Sequence, residues 1–268
     1  MALEFFHPFT FLVVLLLLLI AGVMLNRRNR RRRALAAPFP AGWLAVIQRN
    51  IPPYSKLSPE MQQQVQDYTQ EFLYDKSFEG CGGLVVDDEI KVTIAAQASL
   101  LLLNRKVRSY PRLYSVLVYP SAYVAKSEID EKSVRLGESW QTGAVVLAWD
   151  SVKHGAANFA DGHNLVIHEF AHQLDQEDGS ADGAPILDGG SSYAAWARVL
   201  SREYERLRKR VGKGKKTVMD AYGASHPAEF FAVASEAFFE KPRQLCSKHP
   251  ELYDELRKFY QVDPLEWV

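Results

Sequence analysis

Cysteine is nearly absent: Cys81 and Cys246 are the only two in 268 residues. That excludes a disulfide scaffold and a thiolate zinc finger, and two free thiols in a reducing compartment are expected. Net charge is also missing, with 32 basic against 32 acidic side chains. Gripping phosphates requires a basic field, so no nucleic-acid partner is expected. The chain has no internal repeat and, outside one N-terminal apolar run, no low-complexity tract, which removes collagen-like, long coiled-coil and disordered classes. Met1 to Pro8 contains no lysine or arginine. A cleavable signal peptide, which begins with a basic segment, is therefore not expected.

What is present is unevenly distributed. Phe9 to Leu25 is 17 residues without a charge, and Arg27 to Arg33 follows with six arginines interrupted only by Asn29. At 1.5 Å rise per residue the apolar run makes roughly 25 Å of helix, the short end of what crosses a bilayer core. The order, apolar first and basic second, predicts an uncleaved anchor with its arginine side cytoplasmic. The arginines read as topology signal and lipid-headgroup contact. The first 33 positions hold those six arginines and one acid, Glu4, leaving 26 basic and 31 acidic residues beyond them, a net of −5. The expected organisation is an anchor over residues 1–33, membrane-spanning through residues 9–25, a tether over 34–44, and one domain over 45–268. The expected location is the inner (cytoplasmic) membrane, single-pass, with the domain facing the cytoplasm; a purely cytoplasmic protein is the alternative.

Ser58-Pro59-Glu60 has the form of an N-cap with proline at the first helical position, and Met61, Val65, Tyr68 and Phe72 follow at helical spacing. Helical periodicity resumes over Asp87 to Asn104, after a turn at Cys81-Gly82-Gly83. Tyr114 to Tyr119 and Ala144 to Trp149 read as strands. Gly137 to Trp140 between them reads as a connection or an edge segment. Further helices are expected at about 161–175, 191–210, 227–240 and 250–260. Helices around a small sheet predict an α+β, mostly helical domain.

The chemistry is concentrated in His168-Glu169-Phe170-Ala171-His172. Histidines at i and i+4 share one helix face, so both imidazoles reach one tetrahedral ion. Glu169 is then positioned to touch water at the metal rather than the metal, as a general base. Zinc there would bring the pKa of water down towards about 7 and polarise a carbonyl. The glycine and histidine that a metzincin places three and six residues later are Asp175 and Asp178 here, which excludes that class. Asp175 is open to two readings, a further ligand or an acceptor that orients a ligand imidazole. The preferred third ligand is Glu229, on the apolar helix opened by Pro227. A carboxylate on such a helix is costly to bury unless paired or metal-bound. Glu229 as a first-turn dipole acid and Glu236, two turns on, as a solvated residue are the alternatives.

Five segments carry a family resemblance: Phe78 to Cys81, Val92 to Ala98, Gly137 to Trp140, His168 to Asp175 and Pro227 to Ala232. Together they resemble the Mlc titration factor A family of bacterial zinc peptidases, over roughly residues 45 to 265. The resemblance implies a zincin-like, gluzincin-type site, in a catalytic region similar to the protease domain of anthrax lethal factor. It implies one zinc ion held by His168, His172 and Glu229, with Glu169 as general base. It also implies a catalytic role for Tyr222, whose phenol would bond the oxyanion of the tetrahedral intermediate. Aminopeptidase-like action on small peptides is implied over general proteolysis. The alternative is a regulatory protein that binds a transcriptional repressor or another partner, with zinc mainly structural. An intramembrane protease is excluded, because His168 to His172 lies far from the apolar span.

Overall fold

The computed structural model describes residues 8–105, 109–121, 123–125, 133–135, 137–140, 143–187 and 192–268. The chain divides into two units, Met1–Pro38 and Phe39–Val268.

The first unit contains α1 (Pro8–Leu35), one continuous helix that takes in both the apolar run and the arginines. Its Leu12–Leu35 stretch is long and apolar enough to cross a membrane, and none of it is buried. Leu15 to Leu19 are all exposed, where a core helix would cover such side chains.

The second unit begins with α2 (Ala41–Asn50) and α3 (Pro59–Asp75). Residues 41–44, read as tether, are therefore helical. Ser58 caps α3 by accepting from the Met61 N–H, and Pro59 occupies its first position. Strand β1 (Ser77–Gly80) leads to α4 (Asp88–Leu100), capped by Asp87. Then come β2 (Ser115–Tyr119), the short pair β3 (Tyr123–Ala125) and β4 (Ser133–Arg135), β5 (Gly137–Trp140) and β6 (Ala144–Ala148). The remainder is helical: α5 (Trp149–Ala157), α6 (Leu165–Asp175), α7 (Tyr193–Val211), α8 (Pro227–Glu240), α9 (Pro242–Lys248) and α10 (Pro250–Tyr260).

The main sheet runs β1-β2-β6-β5. β1, β2 and β6 are parallel, and β5 pairs antiparallel to β6 with Ser139 opposite Val145. Parallel strands need a crossover, and α4 supplies it between β1 and β2. Every residue of β6 is buried, as expected for a strand paired on both sides and covered by helices. β5 ends the sheet and lies against α6, so the edge reading of Gly137 to Trp140 agrees with the fold. The mostly helical α+β architecture is as expected.

The core joins the sheet to α3, α4, α6 and α8. Phe170 of α6 meets Tyr110 at 4.8 Å and Phe72 of α3 at 5.6 Å between ring centroids. α8 is apolar on nearly all sides, and all its residues except Pro227 and Glu229 are buried. A helix of that composition has to lie inside a core. Two of its three carboxylates, Glu236 and Glu240, are buried with it, and Glu229 in the first turn is half-buried.

Candidate metal centre

Helix α6 starts four residues later than the periodicity indicated. Gly162 adopts φ +77°, which a helix cannot include. Asn164 then caps the helix by accepting from the Ile167 N–H at 3.0 Å. Phe170, Ala171, Ile167 and Leu174 bury one side, which fixes the rotation of the helix and turns His168 and His172 together toward α8.

Glu229 stands opposite them in the first turn of α8. Its Oε2 lies 3.0 Å from His168 Nε2 and 3.3 Å from His172 Nε2. The three groups offer ligand atoms all within 4.8 Å of one another, and among the described residues they form the one such cluster. For metal bonds of about 2.1 Å, a tetrahedron has edges of about 3.4 Å. The Glu229–histidine separations are close to such edges, and two imidazoles with one carboxylate are a donor set suited to zinc. The residues thus fit the ion that the histidine pair suggests.

The electrostatics follow from proximity. Burial alone would raise Glu229, but the bonds to His168 and His172 outweigh it and hold its carboxyl well below the usual range. Burial alone would lower His168, and its bonds to Glu229 and Glu236 overcome that and hold it well above 6.5.

Glu236 is not a solvated residue: it is 5% exposed. Its Oε1 lies 2.7 Å from His168 Nδ1, and its Oε2 accepts from the Asn164 N–H at 2.7 Å. A carboxylate on the far nitrogen of a ligand histidine fixes the tautomer and ring orientation. One turn further, buried Glu240 accepts from the N–H groups of Gly162 and His163 and from Asn164 Nδ2, which also donates to Gln97 Oε1. Burial pushes the Glu240 carboxyl up to about 8. Asn164, Gln97 and Glu240 escaped the sequence reading. The available signal was the continuation of the Glu229 and Glu236 stripe to Glu240, a third acid on one face of an apolar helix.

Asp175 does not join the cluster. It is fully buried, its Oδ2 accepts from the Gly183 N–H at 2.9 Å, and burial pushes its carboxyl up to about 6. Gly183 in turn accepts from Trp196 Nε1 and adopts φ +80°, where an added Cβ would lie 2.6 Å from the Pro227 carbonyl. Asp175 thus ties the end of α6 to the loop that packs on the start of α8. Glu169, on α6 beside His168, is 5% exposed. Tyr222 sits in a 3-10 turn, Ala221–Ala224, capped by Asp220. Its ring lies 6.1 Å from that of His168 and is 57% exposed, so the phenol stands on the open side of the histidines.

Relatives match this chain in sequence across most of their length. An uncharacterized protein of Synechocystis sp. is 40% identical over 237 residues, covering 85% of this chain and 86% of that protein. The Mlc titration factor A proteins of Serratia proteamaculans and Pectobacterium atrosepticum are each 34% identical, over 226 and 235 residues. They cover 80% and 83% of this chain and 85% and 86% of their own. Residues 25–261 match the glucose-regulated metallo-peptidase M90 family, and the chain belongs to that family of metallopeptidases.

Proposed function

We propose that the chain is a zinc-dependent peptidase that hydrolyses peptide bonds in small peptides, with aminopeptidase-like action, from the cytoplasmic face of a membrane. The observation that carries this reading is the convergence of His168, His172 and Glu229 within 4.8 Å, with Glu169 on the same helix as the histidines. These three residues would hold the ion. When bound, zinc supplies Lewis acidity that acidifies water and polarises a carbonyl.

The chain's own residues do the rest. Glu169 takes a proton from the attacking water and delivers it to the departing amine. Tyr222 donates its phenolic O–H to the oxyanion as charge develops there. Glu236 holds His168 in one tautomer, and Asn164 holds Glu236. β5, the last strand of the described sheet and beside α6, has an edge whose backbone groups could pair with an extended peptide and align it along the site. The apolar run of α1 and its arginine flank support a single-pass anchor with the catalytic unit inside.

A regulatory reading is favoured by one observation, the name Mlc titration factor A borne by relatives at 34% identity. In that reading the chain binds a repressor and zinc is structural. Structural zinc sites are closed by four protein ligands, whereas the cluster among the described residues supplies three. The two readings separate on Glu169→Gln in the purified full chain. The peptidase reading expects retained zinc and a loss of turnover of about a hundredfold or more. Equal turnover in both proteins would sink it.

A further inference from the structure

The second unit carries a strongly basic face that the peptidase chemistry does not use. Residues 202–216, at the end of α7 and in the turn after it, hold eight basic and two acidic side chains. That stretch has a net charge of +6 in a body whose remaining residues beyond 33 then total −11. The basic excess is therefore not confined to the arginines at 27–33. Arg202, Arg206, Lys209, Arg210, Lys213 and Lys215 surround a surface hollow of about 510 Å³, with Glu205 the one acid in its wall.

Internal structure uses only part of this charge. Arg202 pairs with Glu251, Arg206 with Glu203 and Arg208 with Glu205, and Arg210 donates to the Lys216 carbonyl. Lys209, Lys213, Lys215 and Lys216 are exposed and make no ion pair among the described residues. Cations in a last helical turn suit the helix dipole. Three lysines beyond the end of the helix are more than that requires.

We propose that this face docks on the anionic phospholipid surface of the membrane in which the chain is anchored, an inference that rests on the anchor reading of α1. Five residues, 36–40, separate α1 from α2. Fully extended they span at most about 18 Å, and the ten helical residues 26–35 beyond the apolar run add about 15 Å, together still short of the roughly 45 Å width expected for a body of 230 residues. A tether of that reach would keep the body close enough to the headgroups for one of its faces to touch them. The lysine-rich face is attracted there and the acidic remainder is repelled. The turn of Lys213 to Lys216 also precedes Asp220 and Tyr222 by a few residues, so docking would set the position of the segment that carries the phenol.

The test is hydrogen exchange on the full chain in nanodiscs of phosphatidylcholine, alone or mixed with phosphatidylglycerol. Amides of residues 206–218 should gain protection only in the anionic discs and lose it at high salt. Each lysine replaced should weaken docking about fivefold, so Lys209→Glu, Lys213→Glu and Lys215→Glu together should abolish it. The Gln counterparts should weaken it in step, and both variants should keep their metal. Insertion with equal protection in both lipids overturns the docking face and leaves the anchor standing. A chain that enters neither disc overturns the anchor, and this inference with it. Protection by a DNA duplex but not by lipid would make the face a nucleic-acid surface and also overturn the proposal.

Discussion

At the scale of single residues the centre is a set of carboxylates given different tasks by their surroundings. Glu229 lies between two imidazoles, Glu236 touches the rear nitrogen of one of them, and Glu240 faces backbone N–H groups. Glu236→Gln keeps the shape and removes the charge behind His168. Zinc affinity, measured by competition with a chelating dye, should fall about 10- to 100-fold while the fold is retained; unchanged affinity would show that the contact does not orient the ligand. Tyr222 makes the opposite kind of contribution, since its exposed ring has no part in the core. Tyr222→Phe should lower kcat by about a hundredfold and leave KM and zinc content in place. A rise in KM alone would reassign the phenol to substrate binding.

At the scale of elements, the centre depends on how α6 and α8 are held together, and Asn164 is the hub. It caps α6 through its side chain, donates its N–H to Glu236 and donates its amide to Glu240 and Gln97. Glu240 keeps its proton up to about pH 8, whereas an unburied glutamate loses it near 4.5. Between those values the native state binds more protons than the unfolded chain, so this contribution to stability is lost as pH rises. The slope approaches about 1.4 kcal/mol per pH unit for one proton. Denaturation with chelator present, at several pH values between 5.5 and 8, should show that Glu240→Gln flattens the curve by up to one proton; parallel curves would place the Glu240 pKa in the ordinary range. Much of this element level was legible beforehand, because its signals are local. Pro227 and Pro250 mark helix starts that the structure reproduces, and Ser58 caps α3 as its spacing indicates. The His168 and His172 pair is readable because i and i+4 share a face. The roles of Glu236 and Asp175 stay open in the sequence for a common reason: whether a polar side chain is solvated or buried, and against what, depends on packing between segments some 70 residues apart in one case and on a glycine loop in the other. β1 was missed because a four-residue strand gains its identity from pairing with β2, not from its own pattern.

At the scale of the whole molecule, charge is sorted into three parts. The arginines of α1 sit at one end of an apolar helix, the catalytic unit is acidic, and residues 202–216 form a basic island within it. Such sorting has a cost, since like charges repel within each part, and in the proposed membrane-docked arrangement an anionic bilayer surface would offset that cost at both basic clusters. In the anchor reading it would also fix orientation, because basic residues flanking an apolar span resist translocation. A reporter that is active only in the cytoplasm, fused after Val268, should therefore give full signal, with the chain resisting extraction from membranes by alkaline carbonate. Replacing all six arginines between Arg27 and Arg33 with glutamine should weaken the topology signal and reduce reporter activity without releasing the chain from the membrane, because insertion depends on the apolar run and orientation on the charges. Extraction of the unmodified chain by carbonate would mean that α1 does not span the bilayer, and undiminished reporter activity after the six replacements would mean that the arginines do not set its direction.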